Sequence, residues 1–423
     1  MRLRVSEAEH APDSRTPDSR TPDSRTPESR PVVRLKPRSD ARVIRHGFPW
    51  VYADELVTDR RTQGLLPGAL AVLEDSDRRP LGLVTVNTGS KIIARVLDRN
   101  PEAVVDQAWF ARRLSQALAH RERLFDHPFY RLVHAEADGL PGVVIDRFGE
   151  VAVLQPNAAW AEVALTDLVA ALVQVTGVRT VIKNAGGRAR SLEGLDDATA
   201  VVHGLPPTGP VAVAMNGATY LADLMGGQKT GLFFDQRDNH AFAARLARGA
   251  RVLDVFSHVG GFALAALAAG GVGALGVDAS AAALDLARQG ADASGFGDRF
   301  SIRQGDAFAV LEEMGQGPER FELVICDPPA FAPAKPALEA GLRAYERLAR
   351  LAAPLVSPGG YLVLCSCSHA ADLAAFRNAS ARGIGRGGRR GQIIHTGFAA
   401  GDHPVLPQLA ESSYLKSLVF RLD

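Results

Sequence analysis

From Val211 to the C-terminus, short apolar runs alternate with segments of helical period: RVLDVFS, ALGVDAS, FSIRQGD, FELVICDPP and YLVLCSCS, with a helix pattern after each of the first four. Parallel neighbours in a sheet need a crossover of a dozen or more residues, usually a helix, so this rhythm selects a doubly wound α/β domain. The runs are apolar on consecutive positions rather than alternately, as expected of strands covered by helices on both faces. A Rossmann-like sheet over residues 211–423 is the expectation that most limits the rest of the chain.

The preceding residues read differently. APDSRTPDSRTPDSRTPESRP places a proline at every fifth position from Pro12 and offers nothing apolar to bury, so residues 1–32 read as a disordered repeat tail. From 33 to 100 the runs VVRL, WVYA, ALAVLE, LGLVTV and KIIARVL are separated by Pro, Gly and Asn turns, the pattern of a small β-barrel or sandwich. From 101 to 210 a long amphipathic helix, roughly 101–125, leads into RLVHAEADGLPGVVIDRFGEVAVLQ, strands joined by tight turns. A helix at about 158–175 and a strand at 180–183 complete a second, α+β unit.

At 423 residues, two or three domains are expected. No run approaches the roughly 18 apolar residues of a membrane span, and the N-terminus has no apolar secretory core. Three cysteines fit a reducing cytoplasm better than a disulfide framework. Net charge is +1, but residues 34–131 hold 17 Lys/Arg against 12 Asp/Glu, which favours a basic face on the N-terminal half.

The sheet's predicted strand ends carry the chemistry. Asp254 closes the first strand, Gly260-Gly261 open the next helix, and glycine there admits a ligand to the free N–H groups of the helix start. The GxGxxG dinucleotide fingerprint is absent, which disfavours NAD. Asp278, 24 residues after Asp254, ends the second strand, where a carboxylate accepts from a ribose diol. Asp306 follows the third strand and either reaches an adenine amino group or caps a helix. In DPPAF, Asp327 is held at the pocket by the rigid Pro328-Pro329 edge, and the Phe331 ring is placed to stack on a flat base. GGQKTGLFFDQRDN reads as a Gly-flanked loop that closes over a cofactor or grips a phosphate.

These stretches, with CSCSH at 365–369 and the terminal HPVLPQLAESSYLKSLVFRL, resemble the class I S-adenosylmethionine-dependent 23S ribosomal RNA cytosine-5 methyltransferases from Val33 to the end. The resemblance implies an N-terminal PUA domain that binds RNA, a middle α+β domain and a C-terminal methyltransferase domain. It implies S-adenosylmethionine as cofactor, held by Lys229, Phe234, Gln236, Arg237, Asp254, Ser257, Gly260, Gly261, Asp278, Asp306 and Asp327. Substrate would lie against Pro328, Pro329 and Phe331, with no metal, large-subunit ribosomal RNA as partner and no membrane; a homodimer is an open expectation.

Carbon 5 of cytosine is not nucleophilic until a thiolate adds to carbon 6. In the family the nucleophile is the Cys of an S-C-S turn, which here is Cys367; Cys365, expected on the opposite strand face, and Cys326 read as packing. A second Cys follows the Asp-Pro pair in some relatives; here Pro329-Ala330 stand there, leaving Asp327 or water as base. The competing readings are methylation of an exocyclic amine of guanine in ribosomal RNA, which needs no Cys, and an RNA-binding assembly factor with a vestigial methyltransferase domain.

Overall fold

The structure is a computed structural model that describes residues 30–226 and 231–423. The repeat tail up to residue 29, and Lys229, lie outside the described residues. Among the described residues four sheets follow one another along the chain.

The first sheet contains β1 (Val32–Arg34), β2 (Trp50–Tyr52), β3 (Ala69–Glu74), β4 (Pro80–Val86) and β5 (Ile92–Asp98) in the order β1-β3-β4-β5-β2. Its two edge strands approach each other where Leu35 bridges Leu56, so the sheet curls toward a barrel around Val33, Val51, Leu73, Val84 and Ile93. β1 opens within the expected tail, and Arg30 before it donates to the Pro101 carbonyl at 2.9 Å.

The long helix begins at Gln107, not 101, because Asp106 caps it by accepting from the Trp109 N–H at 2.8 Å. The second sheet runs β10-β9-β8-β7-β6, from β6 (Phe129–His134), β7 (Val143–Phe148), β8 (Val151–Pro156), β9 (Thr180–Lys183) and β10 (Ala200–His203). β8 and β9 are parallel, and the crossover between them is broken at Ala164 into helices Ala159–Val163 and Leu165–Thr176. A hairpin of β11 (Val211–Met215) and β12 (Ala218–Ala222) precedes the last sheet. Tyr220 on β12 donates to the Gly261 carbonyl at 3.1 Å and so fixes the start of a helix described below.

That last sheet has the order β15-β14-β13-β16-β17-β19-β18. β13 (Arg251–Val255), β14 (Gly273–Asp278), β15 (Phe300–Gln304), β16 (Phe321–Cys326) and β17 (Val356–Ser366) are parallel. β18 (Gly391–Gly397) and β19 (Lys416–Leu422) complete it, and β19 lies antiparallel between β17 and β18. The order reverses at β13, so a crevice opens at the carboxyl ends of β13 and β16.

The units share cores. Phe148, Val153 and Ile182 of the second sheet pack in one cluster with Val252 and Val363 of the last. Charge joins them as well: Asp402 accepts from the Arg131 N–H through its carboxylate and from Arg121 through its carbonyl, both at 2.9 Å. Arg131 is itself paired with buried Asp146, and Arg121 with Asp138, both bidentately. The charged residues of RLVHAEADGLPGVVIDR thus bind the middle unit together and to the last one.

Candidate active site

At the carboxyl ends of β13–β17 lies a cavity of about 530 Å³, within the range of small-ligand sites. Its wall is the turn after β13. Phe256 and His258 there adopt left-handed backbone conformations (φ 63° and 49°), which cost roughly 1–2 kcal/mol each in non-glycine residues. The strained turn aims the His258 N–H at Asp278 Oδ2 (2.9 Å), while the Ser280 N–H reaches Asp278 Oδ1 (2.9 Å). Asp278 is therefore a fixed carboxylate on the cavity wall. Asp306 caps helix Ala307–Gly315 through the Ala309 N–H at 3.0 Å and also lines the cavity.

Asp254 lies behind the wall, 1% exposed. Its Oδ2 accepts from the Ala263 N–H (3.0 Å) in helix Gly261–Ala268. Burial, followed by repulsion from Asp278, pushes its carboxyl up to about 7 against that N–H bond. Ser257 lines the cavity, and its buried hydroxyl lies against Asp254, where it favours the ionised carboxylate. A strained turn with two fixed carboxylates and aromatic walls suits a cofactor carrying both a cationic amino-acid part and a nucleoside.

Gly260 takes the left-handed conformation (φ 82°) as the helix cap. A Cβ on Gly261 would stand 2.8 Å from the His240 ring, so the absence of a side chain lets the neighbouring helix approach, and both residues line the cavity.

The other end of the cavity is formed by Asp327, Pro328, Pro329, Ala330, Cys367 and Tyr414. Gln236 donates to Asp327 Oδ1 at 2.8 Å and is itself aligned by Asn239, whose amide donates to Gln236 Oε1 at 2.6 Å. Tyr414 donates to Asp235 Oδ2 at 2.6 Å. Cys367 is half-buried, with Sγ 3.9 Å from the Pro328 carbonyl oxygen. Its flanking serines are fully buried and tied to one phenol: Ser366 Oγ donates to Tyr345 Oη (2.9 Å), and Tyr345 Oη meets Ser368 Oγ (2.8 Å). Ser368 Oγ also accepts from the Ala332 N–H at 2.9 Å, which couples the thiol's turn to the DPPAF loop.

Cys326 and Cys365 are both fully buried, and burial raises both thiols far above the ordinary range. Strand alternation does not separate Cys365 from Cys367, since residues two apart share a face. They differ because β17 ends at Ser366: Cys365 faces Ser417 in the sheet, and Cys367 lies in the turn beyond it.

Three other expected contacts are elsewhere. Phe234 is buried against Phe148, and its neighbour Phe233 lines the cavity instead. Arg237 lies over the Phe125 ring and donates to the Phe129 carbonyl, bridging to the middle unit. Phe331 turns from the cavity into a cluster with Tyr345 and Phe308. Conversely, Asp235, His240, Phe256, His258 and Tyr414 line it without having been singled out as site residues. For Asp235 and Tyr414 a signal existed in the motif segments, but nothing local marks which members face inward.

Residues 166–421 match the S-adenosylmethionine-dependent methyltransferase family, and residues 33–99 match a PUA-like domain. The ribosomal RNA large subunit methyltransferase I of Aeromonas salmonicida is 34% identical over 391 residues, covering 92% of this chain and 98% of the relative. The Cronobacter sakazakii protein of that name is 34% identical over 390 residues, 91% and 97% of the two chains. Among solved structures, a Streptococcus mutans protein assigned as a SAM-dependent methyltransferase superposes with a TM-score of 0.77 at 18% identity, covering 92% of this chain and all of that one. A further structure, a methyltransferase solved with SAH, gives 0.77 at 19% identity, with 93% and 99% covered, and supports the same fold. The chain belongs to the ribosomal RNA large subunit methyltransferase I family of S-adenosylmethionine-dependent methyltransferases.

Proposed function

We propose that the protein methylates carbon 5 of a cytosine in large-subunit ribosomal RNA, with Cys367 as nucleophile. The observation that carries this reading is the contrast among the three cysteines: only Cys367 lines the cavity, beside Asp327 and the proline edge. An enzyme acting on an exocyclic amine has no use for a thiol there. The relatives' names point to large-subunit ribosomal RNA, and a PUA-like unit beside the catalytic one fits an RNA substrate.

Bound S-adenosylmethionine supplies an electrophilic methyl group. Asp278, Asp306, Ser257 and the turn around His258 would hold it, with Asp254 bracing the helix behind them. Lys229, Gln236 and Asp327 complete the proposed contacts. The Cys367 thiolate adds to carbon 6 of the cytosine, and the electron pair moves to carbon 5, the methyl acceptor. Asp327, or a water it holds, takes the carbon 5 proton; the carbon 6–sulfur bond breaks and the thiolate returns. Pro328 and Pro329 form the edge against which the base lies.

Incubation of unmodified ribosomal RNA with labelled S-adenosylmethionine, followed by nucleoside analysis, tests the reading. Label is expected in 5-methylcytidine. Label in N-methylguanosine would overturn it.

A further inference from the structure

Lys416 opens β19 opposite Ser366, the last residue of β17, and is only 6% exposed. Its Nζ donates at 2.7 Å to two carbonyls, those of Ser368 and Ala371, which lie one and four residues beyond Cys367. The ammonium thus spans the turn that carries the thiol. Among the described residues no carboxylate comes within ion-pair distance of it. Such a buried charge, met only by carbonyl dipoles, is costly unless a counter-charge arrives.

The groups facing this turn differ in sign. Asp327 at the end of β16 opposes a thiolate, as does the Asp235–Tyr414 pair. Tyr345 on helix Leu338–Ala352 is neutral and bonded to both serines. His369 packs on Tyr414, with Glu411 beyond. Asp372 lies farther along the turn and caps helix Leu373–Arg386. Burial pulls the Lys416 ammonium down from its ordinary range, and the group that most supports its charged form is Cys367, ahead of Asp372.

We propose that Lys416 is the counter-charge of Cys367, a positioning residue that ties down the turn and holds the thiol ready as thiolate. This rests on the reading of Cys367 as nucleophile, but it is tested without turnover. The rate at which iodoacetamide alkylates Cys367 in the full chain, followed by peptide mass spectrometry across pH, reports the thiolate fraction. Lys416→Met is expected to move the curve up by about one pH unit, a roughly tenfold slower alkylation at neutral pH, with Lys416→Arg restoring most of the rate. The acid limb of the kcat profile should move by the same amount.

Should Lys416→Met not fold, Lys416→Gln, which can still donate to both carbonyls, carries the same expected shift. An unmoved alkylation curve in either folded variant overturns the proposal. Full methyl transfer by Cys367→Ala would instead remove the nucleophile and leave the alkylation result standing, so the two failures are distinct.

Discussion

At the cofactor end of the cavity each of three carboxylates is held by its own βα turn or the one beside it: Asp278 by Ser280 and His258, Asp306 by Ala309, Asp254 by Ala263. The thiol end has no such economy of distance. Cys367 sits in a turn fixed by Tyr345 from a helix, Ala332 from the preceding loop and Lys416 from a strand about fifty residues on. A site built from adjacent turns tolerates change elsewhere in the molecule, whereas one assembled from remote segments feels every shift in packing between them.

The largest effect expected from this division is on chemistry alone. Cys367→Ala should lower methyl transfer by about three orders of magnitude or more, as loss of a nucleophile does. S-adenosylmethionine affinity by calorimetry should stay unchanged, because the cofactor end does not depend on the thiol. Cys365→Ser, two residues earlier and inside the sheet, should keep turnover within a few-fold. A Cys365→Ser variant as inactive as Cys367→Ala would break the distinction between the two thiols.

Second is a stability effect confined to the cofactor end. The Asp254 carboxyl is raised from 3.8 to about 7, so the native protein binds a proton there that the unfolded chain releases. Its contribution is fully present below about pH 4 and is lost as pH rises through 7. Asp254→Asn should remove this dependence, stabilising the cofactor-free protein at pH 8 by up to about 4 kcal/mol and changing little at pH 4. Urea unfolding at the two pH values reads it, and equal effects at both would contradict the assignment.

Third, Asp278→Ala leaves the His258 and Ser280 N–H groups without their acceptor and should weaken cofactor binding by about 10- to 100-fold. Alkylation of Cys367 should be unaffected. A changed alkylation rate would show that the two ends are mechanically one.

The same division explains what could be read in advance. Asp278, Asp306 and Asp327 follow apolar runs in register with a strand-helix rhythm, so their place at the crevice follows from topology, with Asp254 buried just behind it. Thr180–Lys183 was likewise legible as a strand, since it is four buried residues bounded by turn residues. The tilt of single side chains was not. Phe233 and Phe234 are neighbours of one chemistry, and only packing against Phe148 decides which enters the core. Phe331 sits in the right loop, yet Tyr345 and Phe308 draw its ring away from the base. β19 was visible only as part of a terminal motif and β18 not at all, because an antiparallel insertion at a sheet's edge breaks the strand-helix rhythm.

The smallest effect is also the one most particular to the thiol end. Tyr345→Phe removes a single oxygen that touches neither substrate nor cofactor but serves both Ser366 and Ser368. The ring still fills its place beside Phe331 and Phe376, so the fold should persist with a loss of about 1–2 kcal/mol from the orphaned buried hydroxyls. Ser368 keeps the Ala332 N–H, so the turn loosens rather than collapses. The expected outcome is a several-fold lower kcat with KM for S-adenosylmethionine unchanged, since small misplacement of a nucleophile costs rate before it costs binding. An equal rise in that KM would mean the hydroxyl network reaches across the cavity, and the separation of its two ends would have to be given up.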